Sequence, residues 1–271
     1  MSHVSTTSRK ITGVAVAAAA LTGAVLAQAT STQAAAVALP PTHAGFDYQI
    51  GGAYTPPAGV KVVTRDHTAS PAAGLYNICY VNAFQAQPGA ESEWASDLLL
   101  RDSAGNVVYD EDWGEALLDI STSAKRQRIA DRIGVRIDGC RDKGFQAVEP
   151  DNYDSYTRSG NRLTANNAQA FIKLLSTRAH ADGLAIAQKN TSELAGNRTA
   201  NGLDFAVAEE CGQYDECGDY TSAFGNNVIV IEYTNTGRTK ACSGWGGTLS
   251  IVQRDVDVSP AGSGGYVRKT C

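Results

Sequence analysis

A helical stripe that ends in glycine and runs straight into a short apolar segment occurs twice near the middle of this chain. Over residues 124–143, Ile129, Ile133, Ile137 and Cys140 share one helix face; Ser121, Thr122 or Ser123 can cap the start and Gly144 the end. Residues 164–182 repeat the plan, with Ala168, Phe171, Ile172, Leu175 and Ala179 as the stripe, Thr164 as N-cap and Gly183 as C-cap. Helix, glycine and strand in succession is the pattern of βα units feeding a parallel sheet.

Apolar runs of strand length fall at residues 61–65, 76–81, 116–120, 146–149, 184–188, 205–208, 228–232 and 249–252, with 48–50 as a ninth candidate. Eight strands in this length predict a single (β/α)8 barrel of the TIM type rather than an open doubly wound sheet. No glycine-rich phosphate loop follows the first strand, which disfavours a nucleotide-binding fold. The connections near residues 54–59 and 67–74 are too short or too proline-broken for full helices, so the N-terminal part of the barrel is expected to be abbreviated.

In such a barrel the active site lies at the C-terminal ends of the strands. Two of those ends carry carboxylates after an apolar run: Glu149 and Asp151 in Ala147-Val148-Glu149-Pro150-Asp151-Asn152, and Glu209 and Glu210 in Phe205-Ala206-Val207-Ala208-Glu209-Glu210-Cys211. Acids there are costly unless they line a site or join a buried ion-pair network. Paired carboxylates suit glycosidic cleavage, where one protonates the leaving oxygen and the other supports the oxocarbenium-like centre. Polar residues at the remaining ends complete a candidate cup: Tyr80, Asp119, Asn152, Lys189, Asn190, Glu232 and Tyr233. Of these, Glu149, Asp119 and Glu232 are expected to attract a cationic sugar, Tyr80, Tyr153 and Tyr233 to stack on sugar faces, and Asn152, Lys189 and Asn190 to bind hydroxyls or orient the acids.

The first 36 residues read as a secretory signal: Arg9 and Lys10, an alanine-rich apolar run, then small residues to Ala36. Residues 37–271 would then form the barrel domain of a secreted protein that needs no membrane after cleavage. Removing two basic residues and no acid leaves 21 basic against 28 acidic residues, a poor match for nucleic acid and a better one for neutral or cationic partners. All six cysteines, Cys79, Cys140, Cys211, Cys217, Cys242 and Cys271, lie in the exported part and predict three disulfides among fifteen pairings. Cys211 with Cys217 would close a short loop, Cys242 with Cys271 would pin the tail, and Cys79 with Cys140 would remain. No C-x-x-C occurs, and His43, His67 and His180 are widely separated, so neither a metal nor another cofactor is expected.

At these segments the chain resembles the glycoside hydrolase family 114 barrel domain, associated with endo-α-1,4-polygalactosaminidase activity. The resemblance is carried by Asn77-Ile78-Cys79-Tyr80, Leu117-Leu118-Asp119-Ile120, the stretch through Glu149-Pro150-Asp151-Asn152, Gln188-Lys189-Asn190, Glu209-Glu210-Cys211, Tyr214-Asp215-Glu216-Cys217 and Val230-Ile231-Glu232-Tyr233. It implies a secreted barrel that hydrolyses an α-1,4-linked galactosamine polymer, a cationic substrate, with Asp151 and Glu209 as catalytic carboxylates; a monomer is expected. The family commonly reads Asn-Glu-Gln-Cys where this chain has Ala208-Glu209-Glu210-Cys211, and the added acid should raise one of the two carboxyl pKa values. Two alternatives remain at this level: a non-catalytic carbohydrate-binding barrel, and a metal-dependent deacetylase, which would need ligand clusters this sequence lacks. No G-x-S-x-G elbow supports a serine hydrolase.

Overall fold

Eight parallel strands follow one another round a curled sheet: β1 (Gly45–Gln49), β2 (Val60–Asp66), β3 (Tyr76–Asn82), β7 (Ala147–Asp151), β8 (Ala185–Lys189), β9 (Phe205–Glu209), β10 (Val228–Glu232) and β11 (Ser250–Arg254). The computed structural model describes residues 1–7 and 37–271. Most of the expected export segment therefore lies outside the described residues. Among those described, no helix is long and apolar enough to cross a membrane.

Strands β4 (Gln85–Ala86), β5 (Tyr109–Asp110) and β6 (Glu115–Leu117) form a separate small antiparallel sheet between β3 and β7. This corrects the strand count made from sequence. The run at residues 116–120 belongs to the small sheet, and the ninth candidate, moved toward the N-terminus to Gly45–Gln49, is the true barrel strand β1. The expected barrel stands.

The helices are α1 (Ser123–Lys143), α2 (Ala165–Ala181), α3 (Arg198–Asn201), α4 (Cys217–Phe224) and α5 (Asn235–Trp245). The Thr122 side chain caps α1, and Gly144 ends it in the left-handed region at φ 91°. Thr164 and Asn167 form a reciprocal capping box at the start of α2. Both predicted stripes are buried against the sheet.

No helix follows β1 or β2. A polar network covers that flank instead: Arg65 donates from Nε to Oε1 of Gln49 at 2.9 Å, and Gln49 donates to Asp47 at 2.8 Å. The final strand β12 (Arg268–Thr270) pairs antiparallel with β11, and Arg268 reaches across to Asp47 and the Phe46 carbonyl on β1. Together with the Ala44 amide on Ser250 Oγ, these contacts join the first and last strands of the barrel.

Alternation along each strand divides the core in two. Tyr48, Val62, Ile78, Ala147, Ala187, Phe205, Val207, Ile231 and Val252 pack inside the barrel. Their neighbours Cys79, Val148, Ile186, Ala206, Val230 and Ile251 face the helices. Three disulfides, Cys79–Cys140, Cys211–Cys217 and Cys242–Cys271, tie β3 to α1, close the loop after β9, and fasten the C-terminus to α5.

Candidate active site

The same alternation places the chemistry. On β7 the inward row reads Ala147, Glu149, Asp151; on β8, Ala185, Ala187, Lys189; on β9, Phe205, Val207, Glu209. The row on β10 continues to Tyr233 and that on β3 to Tyr80. Each row is apolar until its last members, so polar groups from five strands converge at one end of the barrel.

Lys189 stands at the centre. Its Nζ lies 3.1 Å from Asp151 Oδ1, 3.3 Å from Glu209 Oε2 and 3.1 Å from Glu149 Oε1, and donates to Tyr48 OH at 3.0 Å. Burial alone would strip its proton, but Asp151 and Glu209 outweigh burial and raise its pKa, so it stays an ammonium. Two oxygens at 3.1 and 3.3 Å from one nitrogen are separated by at most the sum of those distances, about 6.4 Å.

Burial likewise opposes the charge on Asp151. The Lys189 ammonium, the Tyr80 hydroxyl at 2.6 Å and the Asn152 amide overcome it and hold this carboxyl below the ordinary range. Glu209 accepts from Tyr233 OH through Oε1 and from Asn190 Nδ2 at 3.0 Å through Oε2. Both tyrosines are raised by burial first and by their carboxylate partners second, so they remain hydrogen-bond donors.

Backbone strain gathers at the same three strand ends. Asn152, Asn190 and Glu210, directly after Asp151, Lys189 and Glu209, adopt φ of 66°, 52° and 57°. Non-glycine residues in the left-handed region carry a conformational cost that clusters at functional sites. The turn at Asn190 aims its amide side chain at Glu209, whereas Asn152 donates its side-chain amide to Asn82 and Glu115.

A cavity of about 800 Å³ opens over this centre, lined by Tyr80, Asp151, Asn152, Lys189, Asn190, Glu209, Glu210 and Tyr233 from the sequence-predicted set. Nine of its lining residues are acids, against two cations, Arg158 and Lys189. Glu210 carries the extra charge noted in the sequence; burial first and Glu209 second raise its pKa.

Three expected sugar-facing acids lie elsewhere. Glu149 is fully buried one layer beneath Asp151, where it accepts from Tyr48 at 2.8 Å; burial pushes its carboxyl up to about 7 against the pull of Lys189. Glu232 shares its strand parity with Val228 and Val230, so it points outward and holds the Gly212 amide at 2.7 Å. Asp119 caps the approach to α1, accepting from the Ser121 amide at 3.0 Å and pairing with Lys125. Tyr153 is also withdrawn from sugar binding, since it is buried against Phe84.

Sequence reasoning missed Glu115, Trp113 and Arg158, which reach the cavity from the small sheet and the segment after β7, and Tyr214 from the loop after β9. Trp113 and Tyr214 are 55% and 65% exposed on the cavity rim, an unusual state for large aromatics that only the folded chain reveals.

The family model described as Glycoside-hydrolase family GH114 matches residues 27–271. The chain belongs to family GH114. As a GH114 member it is a glycosidase, and the strand-end acids lie where a barrel glycosidase carries its catalytic groups. Among solved structures, Aspergillus fumigatus Ega3 in complex with galactosamine is similar at 23% identity and TM-score 0.71, over 88% of this chain and 100% of that one. The glycoside hydrolase domain of PelA from Pseudomonas aeruginosa is similar at 14% identity and TM-score 0.59, over 84% of this chain and 98% of that one. Both share the GH114 chain's fold. No curated protein matches the sequence.

Proposed function

We propose that this protein is an exported endo-acting glycosidase that cleaves α-1,4-linked galactosamine polymers through Asp151 and Glu209. The observation that carries the reading is the single ammonium of Lys189 held between the two acids. It keeps both carboxylates on one gap, at the floor of a cavity large enough for sugar units. The excess of acids over cations around that cavity suits a protonated amino sugar. Galactosamine bound to the similar fold of Ega3 supports the same substrate class.

Asp151, held as an anion by three donors, is suited to attack the anomeric carbon. Glu209 then protonates the departing glycosidic oxygen and, in the second step, takes a proton from the incoming water. The closeness of two carboxyl groups that share one ammonium is the ground on which we assign double displacement. Retaining enzymes hold their carboxyl groups roughly 5–5.5 Å apart, whereas inverting enzymes need about 6.5–9.5 Å to admit a water. Tyr80 and Asn190 hold the two acids in place. Residues 1–36 act as the export signal, and residues 37–271 form the mature, monomeric domain; three disulfides fit an oxidising compartment.

The test is incubation of residues 37–271 with deacetylated polygalactosamine, following new reducing ends with and without a chelator. Chelator-insensitive cleavage is expected, with losses of about 10²–10⁴-fold for Asp151→Asn and Glu209→Gln. Full activity in both variants, or binding without cleavage by the unaltered protein, would refute the assignment.

A further inference from the structure

The small sheet inserted between β3 and β7 delivers acids into the cavity that the two-step mechanism does not use, among them Glu115. Glu115, the first residue of β6, accepts through Oε2 from Asn82 Nδ2 at 2.8 Å and from Asn152 Nδ2 at 3.1 Å. Those amides fix the direction of the carboxylate, and Asn152 is the residue directly after Asp151. Oε1 has no hydrogen-bond partner among the described residues.

The cations of the cavity are engaged elsewhere. Arg158 lies 2.6 Å from Asp110 and 2.7 Å from Asp154, and Lys189 serves Glu149, Asp151 and Glu209. Among the described residues, no lysine, arginine or histidine pairs with Glu115. Its principal neighbours are two amides and two further acids, Asp151 and Asp110; burial is the main cause that lifts its carboxyl to about 7. A partly desolvated carboxylate without a counter-ion is an unfavourable arrangement that a bound cation relieves.

We propose that Glu115 selects the amino group of the substrate, its unpartnered oxygen accepting the ammonium of the sugar seated beside Asp151. The inference rests on the galactosaminidase reading and adds the residue that distinguishes an amino sugar from its neutral counterparts. An N-acetylated sugar brings no positive charge to Glu115, and a plain hydroxyl makes only a neutral donor. Charge-assisted hydrogen bonds are about twice as strong as neutral ones, which gives the site its discrimination. Asn152 donates its side-chain amide to Glu115 and its backbone amide to Asp151, which links the bound amine to the position of the attacking carboxylate.

Steady-state cleavage of galactosamine and N-acetylgalactosamine oligomers by the mature protein, Glu115→Gln, Glu115→Asp and Glu111→Gln tests this. Glu111 sits exposed on the same hairpin, outside the cavity lining, and controls for loss of one negative charge. Thermal melts confirm folding, and inhibition by free galactosamine against galactose gives a binding readout that does not need turnover. Glu115→Gln should lose roughly 10- to 100-fold in kcat/KM on the amino substrate, mainly through KM, with the galactosamine-over-galactose preference lost as well. Glu115→Asp should recover part of that preference, and Glu111→Gln should match the unaltered protein. Undiminished amine preference in folded Glu115→Gln would overturn the role of Glu115 while leaving the galactosaminidase reading intact. An unaltered protein without amine preference would overturn both.

Discussion

Tyr80 donates its phenol hydrogen to Oδ2 of Asp151 at 2.6 Å, across the paired strands β3 and β7. The bond helps hold Asp151 ionised in a buried setting. Removing the hydroxyl in Tyr80→Phe should lower kcat by about 10- to 100-fold, the worth of a hydrogen bond to a charged group, and leave KM within about threefold. Steady-state kinetics on a galactosamine oligomer measures both. An unchanged kcat would mean that the phenol does not tune this acid.

Lys189 is 2% exposed in its side chain and lies against three carboxylates. Replacing it with methionine leaves those acids facing one another without a cation. A loss of roughly 3–5 kcal/mol of stability is expected for Lys189→Met. Glu149→Gln should cost less, because Lys189 keeps Asp151 and Glu209. Urea unfolding of the two variants gives the ordering, and the reverse order would contradict a central role for the ammonium.

Gly237 on α5 packs against Glu232, and a Cβ built there would meet Oε2 of Glu232 at 2.1 Å. Gly237→Ala should therefore destabilise the fold by about 1–3 kcal/mol and disturb the loop held by the Gly212 amide. In Glu232→Ala the space is released, so the double variant should be less destabilised than the sum of the single changes. Strict additivity in chemical denaturation would contradict this contact.

Glu115, Glu149 and Glu232 each have carboxyl groups raised to about 7, burial being the main cause. The folded state thus binds protons more tightly than the unfolded chain at these positions. Their contribution to stability is fully present below the unfolded carboxyl pKa and is lost as pH rises through about 7. Asp151, held low, acts oppositely and only in more acidic solution. The melting temperature should fall between pH 5 and pH 8, and Glu232→Gln should flatten that fall; a rise over this range would contradict the burial of these acids.

Much of this architecture was legible because two physical patterns are local. The stripes of α1 and α2, their threonine caps and their glycine exits are readable from side-chain spacing alone. Strand parity was equally readable and explains one miss: Glu232 shares its parity with Val228 and Val230, so it had to face the helices. Parity could not separate Glu149 from Asp151, which share a row; depth in the barrel puts one beneath Lys189 and the other beside it. β1 was underweighted because Asp47 and Gln49 break its apolar run, yet both are buried in the network that replaces a helix. Glu115 left no local signal, since its place depends on an insert folding back over the barrel mouth.

The most direct test of the shared gap between Asp151 and Glu209 is the configuration of the first sugar released. Proton NMR during early hydrolysis of an α-1,4-linked galactosamine oligomer resolves the new reducing end before it mutarotates. Double displacement across a gap of at most about 6.4 Å predicts α-configured ends first. β-Configured ends appearing first would contradict it.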